Sequence, residues 1–458
     1  MLDRRQRMNA IFDARRRRTM RKGIVILAGF VSVAILGGCA GKGGDTSPGS
    51  GQQSAVPAPS KEPIELSIYS AGGTKLEEFN ANYAEHIKKK FPHISIKYIN
   101  PRDGEANKYE NLIMTGVNVD LYYESVGTFF ATLPRTKTEF DLTPMIKQYN
   151  ADLNRFEPTL IDAIKQNGKG QVWGLPVTTN GMSLYYNKDL FDKFGVPYLK
   201  DGMTWDQVYE VADKLNRNDG GKTVAGMAIS PSHSTRMNPF SLPFVDPQTM
   251  KPTFGDERWK KVLEPILRPA EHSGYRTKMD QLEGKLPYSG EWLNKQELAI
   301  FGVFSDWQVV SPIPVPFNWD LASYPTTKEL PGVGSQQYPV YWAIPAISKH
   351  KAQAFEVLQY LVSDEYQMEL SKRGGMTVLN NPDIRKAFGQ NSPNRDKNLG
   401  AAYYNKFAPI SPKPEVDKLA ENALMGKLPD LAYGKIDINT ALRQAAEEAN
   451  KAIEQAPR

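Results

Sequence analysis

The body of the chain opens on alternation: Ile64, Leu66 and Ile68 recur at every second residue, which predicts a strand. Gly72-Gly73 then marks a turn, and Thr74 with Glu77 has the spacing of a helix capping box. Leu76, Phe79, Tyr83 and Ile87 follow at helical spacing, until Pro92 bars continuation. Ile94, Ile96 and Tyr98 predict a second strand, and Val117, Val119, Leu121 and Tyr123 a third. Strand and helix alternating in this way indicate an α/β layered domain. Thr204 and Gln207 predict another capping box, opening a helix with Trp205, Val208, Val211 and Leu215 on one face. Phe355, Leu358, Val362 and Leu370 predict a further helix, and Ile438, Leu442, Ala445, Ala449 and Ile453 the last. No internal repeat is visible.

The N-terminus follows a different pattern. Residues 24–36 are mostly apolar, preceded by clustered Arg and Lys and followed by Gly37-Gly38-Cys39. A basic region, a short apolar core and small residues describe a secretory signal over residues 1–38. The run is too short to span a hydrocarbon core of roughly 30 Å comfortably, and no later segment is apolar enough to do so. Leu36-Gly37-Gly38-Cys39 resembles a lipobox, which implies that the Cys39 thiol becomes a diacylglycerol thioether tethering the protein outside the membrane. Met20-Arg21-Lys22 would also suffice as a basic start. Residues 39–62 carry Gly, Ser, Pro and Gln with almost nothing apolar, the composition of a flexible linker.

Composition refines the picture. At 458 residues, 40% hydrophobic and 24% charged, the chain suits a soluble globular protein of two or three domains, or two large lobes. The net charge of +6 suggests a nucleic-acid partner until its location is noticed. Nine bases and two acids fall within residues 1–38, a local charge of +7 that leaves −1 for the rest. No polyanion-binding field remains. Cys39 is the single cysteine, which excludes an intrachain disulfide and a Cys-based zinc site.

Motifs for chemistry are missing. Gly221-Lys222-Thr223 lacks the first glycine of a P-loop, because position 216 is Asn216. His86, His93, His233, His272 and His350 show no metal spacing, no G-x-S-x-G elbow occurs, and Gly332-x-Gly334 reads as a loop. No cofactor is expected. Carboxylates cannot be paired across a sugar ring from sequence, so a glycosidase stays open on this ground.

The informative stretch is residues 172–215. Gly174-Leu175-Pro176, Tyr185-Tyr186-Asn187-Lys188-Asp189, Phe194-Gly195 and Thr204-Trp205 resemble the extracellular solute-binding proteins of ABC importers, in the family that includes maltose-binding protein. The 299–307 run ending in Asp306-Trp307, the segment Tyr341-Trp342-Ala343-Ile344-Pro345 and the helix after Asp437 agree in order and spacing. The resemblance implies an α/β, two-lobed periplasmic-binding-protein-like fold of type II, its lobes joined by three hinge crossings. Lobe I would comprise residues 63–178 and 343–390, and lobe II residues 182–340 and 400–458. Crossings are expected near 178–181, near 340–343 and between about 380 and 404.

The same resemblance implies a non-enzymatic receptor that clamps a solute, expected to be a carbohydrate and an oligosaccharide in particular, and hands it to ABC permease subunits. It implies a monomer, anchored to the cell membrane on its extracytoplasmic face. Carried across by position, Trp307 would stack on a sugar face with Asp306 beside it, and Trp342 and Asn180 would face the cleft from the crossings. Gly72, Gly73, Glu124 and Ser125 follow strands at their carboxyl ends, where open sheets place ligands. Each has a plain alternative: core packing for either tryptophan, a turn for Asn180 and Gly72-Gly73, a solvated acid for Glu124. Tyr185, Tyr186 and Trp205 read as core. Two positions depart from sugar-binding members: Glu124 stands where an aromatic or amide is often found, and Gly127 where some have an acid. A receptor for a peptide, a polyamine or an anion, a cell-wall glycan hydrolase and a structural surface lipoprotein are the competing readings.

Overall fold

Backbone amide groups decide the architecture, because each strand must find partners on both sides or end a sheet. The computed structural model describes residues 59–456 apart from position 312; the signal of residues 1–38, Cys39 and the linker as far as residue 58 lie outside the described residues. Strands β1 (Ile64–Ser70), β2 (Ile94–Ile99), β3 (Leu121–Ser125) and β4 (Leu175–Thr178) come first. After them come β5 (Met182–Asn187), β6 (Arg217–Asp219), β7 (Lys222–Ile229), β8 (Leu298–Phe304) and β9 (Trp319–Ser323). The last three are β10 (Val333–Gln336), β11 (Val340–Ala343) and β12 (Lys406–Ala408).

Two five-stranded sheets result, ordered β2-β1-β3-β11-β4 and β6-β7-β8-β5-β9. In the first, β1 runs parallel to β2 and β3, while β11 is antiparallel to β3 and β4. In the second, β7 runs parallel to β8, while β5 is antiparallel to β8 and β9. The reversed interior strand of each sheet is the one that arrives from the other sheet. A separate pair, β10 with β12, joins two of the connecting segments.

Local signals behave unevenly. The helix Trp205–Leu215 opens on the expected box, with Thr204 and Gln207 bonding reciprocally. The box at Thr74 does not form: Lys75 caps the helix Leu76–Phe79, and the Thr74 hydroxyl accepts a bond from Ser70 Oγ instead. The third strand starts at Leu121 rather than near Val117, because the side chains of Asn118 and Asp120 take up the backbone N–H groups of Lys349 and Ser67 there. The expected helix through Phe355 and Leu370 is two, Lys351–Leu361 and Asp364–Lys372, since Ser363 Oγ accepts the Tyr366 N–H and starts a new turn. Gly334 belongs to β10 rather than to a loop.

Each sheet has its own apolar core. Leu66, Ile68, Phe129, Leu160, Trp342 and Phe355 belong to the first; Leu184, Phe191, Val208 and Ile300 line one side of the second, and Tyr185, Trp292 and Phe301 the other. The helices Arg258–Leu267, Asp417–Met425 and Ile438–Glu454 close around a satellite cluster of Trp259, Leu263, Leu424 and Leu442. The chain passes between the sheets at 179–181 and again at 337–339. The second passage precedes the expected 340–343, which is strand β11 in the interior of the first sheet. A third passage separates Ile384, in the first core, from Phe388, in the second; Ile410 then touches the first core again. No helix among the described residues is long and apolar enough to cross a membrane.

The helix Trp205–Leu215 packs on β7 through Gly226, where a Cβ would lie 2.0 Å from the Ala212 carbonyl oxygen. Gly226→Ala is expected to lower the unfolding free energy by about 1–3 kcal/mol. A urea midpoint equal to that of the parent would show that this helix can shift without cost.

Candidate binding cleft

The topology brings chosen strand ends to one gap. β4 leaves the first sheet at the edge where β1 and β3 end, and β5 enters the second beside the end of β8, pairing Met182 with Phe304. The segments after β1, β3, β7 and β8 therefore meet around residues 179–181 and 337–339. Carboxyl ends of strands converging at a break in the topology are where open α/β sheets bind ligands.

On the second lobe, the turn after β8 is tied down before it presents any side chain. Tyr185 donates its hydroxyl to the Ser305 carbonyl at 2.8 Å and accepts the Gln308 N–H at 3.2 Å. Ser305 Oγ lies 2.8 Å from Ser183 Oγ. Trp307 is half-buried, its ring 5.4–5.5 Å from those of Phe301, Tyr185 and Trp292. Next to it, the side chain of Asn180 lies close enough to Asp306 to draw its carboxyl down. Although Asp306 keeps some contact with solvent, the protein packed around it pushes its carboxyl up to about 6; Asn180 and a backbone N–H pull it partway back. Asn180 Oδ1 and Thr179 Oγ1 are buried without a hydrogen-bond partner.

On the first lobe, Gly73 adopts a positive φ of 64° and has no room for a Cβ, which would meet Arg102 Nε at 2.6 Å. Tyr98 and Asn100 hold the Thr74 carbonyl at 2.6 and 2.9 Å, and Arg102 holds that of Gly72 at 3.1 Å. Gly72 itself is exposed. Glu124 is engaged within its own lobe, accepting bonds from the hydroxyls of Tyr122 and Thr128, and burial pushes its carboxyl up. Ser125 Oγ lies 3.3 Å from the Tyr338 hydroxyl.

Trp342 departs from its expected place. It is fully buried, stacked on Tyr123 at 4.5 Å and tilted against Tyr83 at 4.9 Å. Its strand is interior, paired with β3 and β4, and Tyr341 and Trp342, which point to opposite faces, are both fully buried, so both faces of the sheet are covered at that point. Trp342 is a core residue. The structure thus gathers Asn180, Asp306 and Trp307, brings Ser125 to them through Tyr338, and leaves Trp342 out.

Sequence reasoning missed several neighbours. His233 Nδ1 lies 2.7 Å from Ser230 Oγ, which lies 3.0 Å from the Tyr288 hydroxyl. The His233 ring sits 4.0 Å from Phe304, and burial lowers it to about 4, so it stays neutral near pH 7. Arg236 reaches Tyr338 at 3.4 Å and pairs with the buried Glu421. Only Pro231, which opens the helix Pro231–Arg236, and Pro339 after Tyr338 hinted at turns. No group of three or more His, Cys, Asp or Glu side chains among the described residues is placed to hold a metal ion.

Comparison with known proteins gives a consistent result. The family model described as bacterial extracellular solute-binding protein matches residues 72–368. A protein of Brucella abortus (strain 2308), named only as a binding protein, is 21% identical over 391 residues, covering 80% of this chain and 89% of its own length. The open conformation of a sugar transporter from Rhizobium etli superposes with a TM-score of 0.67 at 17% identity, covering 84% of this chain and 99% of that one. An ABC substrate-binding protein from Listeria monocytogenes in complex with cycloalternan gives 0.66 at 19% identity, covering 85% and 99%. What these structures share with this chain is the two-lobed periplasmic-binding-protein-like fold.

Asp306 has a titration consequence. Between its ordinary 3.8 and about 6, the folded chain keeps a proton that the unfolded chain has released. This residue's contribution to stability therefore falls as pH rises through that window and stays unfavourable above it. Asp306→Asn is expected to be more stable than the parent above about pH 6, by about 1–3 kcal/mol, with the gap closing as pH falls toward 4. Urea unfolding across that range checks this; parallel curves would mean that the carboxylate is well solvated.

Proposed function

Because the chain belongs to the bacterial extracellular solute-binding protein family, we propose that it is the receptor of an ABC importer and holds a carbohydrate, most naturally an oligosaccharide, between its lobes. The observation that carries this reading is the cleft floor. Trp307 is partly exposed, and beside it Asp306 and Asn180 offer a carboxylate and an amide. A sugar ring has apolar C–H faces for an aromatic platform and a rim of hydroxyls for acceptors and donors. Asn180 Oδ1 and Thr179 Oγ1, unpartnered and buried, suit incoming hydroxyl groups, since leaving each unpaired costs about 1–3 kcal/mol. Similar folds bind cycloalternan, mannotriose and a cyclic maltosyl-maltose, which supports the same solute class here.

Capture without chemistry fits the groups at the floor. Hydrolysis of a glycoside uses two carboxyl groups flanking the bond. Here Glu124 is occupied by Tyr122 and Thr128, and Glu421 by Arg236, so Asp306 has no free carboxylate partner among these groups. Closure of the lobes would bury the solute and present it to permease subunits, with ATP hydrolysed by a separate ATPase. Cys39, lipidated, would tether this monomer to the extracytoplasmic face of the membrane, and the linker would let it stand off.

Tryptophan fluorescence on titrating maltotriose, mannotriose, spermidine and a tripeptide tests the solute class. Saturable binding of an oligosaccharide is expected, and Asp306→Ala should raise its Kd about ten- to a hundredfold, the range for losing hydrogen bonds to a charged group. Saturation by spermidine or the tripeptide, with no response to any sugar, would assign the cleft to a different solute. Cys39→Ser is expected to move the protein from the membrane fraction to the soluble one; retention in the membrane would rule out the lipid tether.

A further inference from the structure

The first two passages between the lobes share one polar junction, against which a later segment around Lys413 also packs. On the first, the Asn180 carbonyl accepts the Tyr338 N–H at 2.8 Å, while the Asn180 side chain lies beside Asp306. On the second, the Tyr338 hydroxyl lies 3.3 Å from Ser125 Oγ in one lobe and 3.4 Å from Arg236 Nη1 in the other. Its ring rests against Phe304, 5.6 Å away. In the later segment that follows Ile410, Lys413 is 4% exposed, with Nζ 3.5 Å from the Arg236 carbonyl and 2.8 Å from Ser411 Oγ. The backbone N–H of Lys413 bonds Asn167 of the first lobe at 2.8 Å. Behind the junction, Glu421 holds Arg236 with contacts of 2.6 and 2.9 Å.

Gly127, the second residue of the helix Val126–Thr136, completes the arrangement. A Cβ there would lie 2.6 Å from the Tyr338 hydroxyl. The phenol thus occupies space that any other residue at position 127 would contest.

We propose that Tyr338 and Arg236 are the positioning residues of the hinge, Arg236 as the anchor fixed in the second lobe and Tyr338 as the tie from it to Ser125 in the first. The inference deepens the receptor reading, because it concerns how the two lobes are held around a solute. A buried ion pair adds little net stability but fixes geometry, which is what an anchor needs. A single hydroxyl bridge is weak, so it narrows the range of lobe orientations without locking them. Through Asn180, the same junction touches Asp306, so solute at the floor and orientation at the hinge bear on common atoms.

The test uses the full chain with Cys39→Ser and spin labels at Lys97→Cys and Glu329→Cys, exposed positions on the two lobes. Pulsed EPR without any solute reports the interlobe distance distribution. Tyr338→Phe is expected to broaden it, with the main population falling about three- to tenfold relative to others, the effect of one neutral hydrogen bond. Gly127→Ala should broaden it likewise by displacing the phenol, although alanine favours the helix, so the change would not reflect unfolding. Distributions that coincide with the parent in both variants, with or without a lower melting temperature, would overturn the proposal. Failure of every sugar to bind would leave this result untouched and count only against the receptor reading.

Discussion

A strand that reaches one sheet from the other must enter at the edge where the parallel strands end, and so must run against them. The rest of the molecule follows from this constraint. β5 and β11 are reversed, interior and directly downstream of the first two passages. Because they enter at that edge, the segments after β1, β3, β7 and β8 face the same gap. Side chains from distant parts of the chain, such as Ser125, Asn180, Asp306 and Tyr338, become neighbours for this reason.

Several buried polar groups lie at the same place. Asp306 is pushed up to about 6 by the protein around it, and Asp417, near Lys413, to about the same value. Lys413 is pushed down by burial. Desolvating such groups works against stability unless partners compensate, and replacement by apolar residues is often neutral or better. Their position gives the physical sense: they sit where the lobes join, and directional bonds specify an orientation that apolar contacts alone leave loose. The apolar cores, by contrast, lie within each lobe and need no agreement between them.

A clamp of this kind binds by differential contact. A solute can shift the lobes only as far as it binds one arrangement better than another. On the proposed function, the groups that would supply such a difference are few: the partly exposed Trp307, Asp306 with Asn180, and Ser125 with its contact to Tyr338.

Alternation, capping residues and apolar spacing determined the elements: β1 and β2, the helix opened by Thr204 and Gln207, and the last helix capped by Asp437 all stand where the chain's own pattern puts them. These signals act within a few residues, so sequence suffices to read them. The ordered motifs around Gly174-Leu175-Pro176 and Asp306-Trp307 likewise pointed to the family and to two lobes. Which tryptophan stays partly exposed was a different matter. Trp307 and Trp342 both lie in or just after apolar runs, yet one ends up half-buried beyond the end of a strand and the other stacked inside a sheet. Strand order decides that, and strand order is a contact between segments far apart in the chain. Arg236 and Tyr338 carry no local signal at all; only folding places a guanidinium and a phenol about a hundred residues apart against one another.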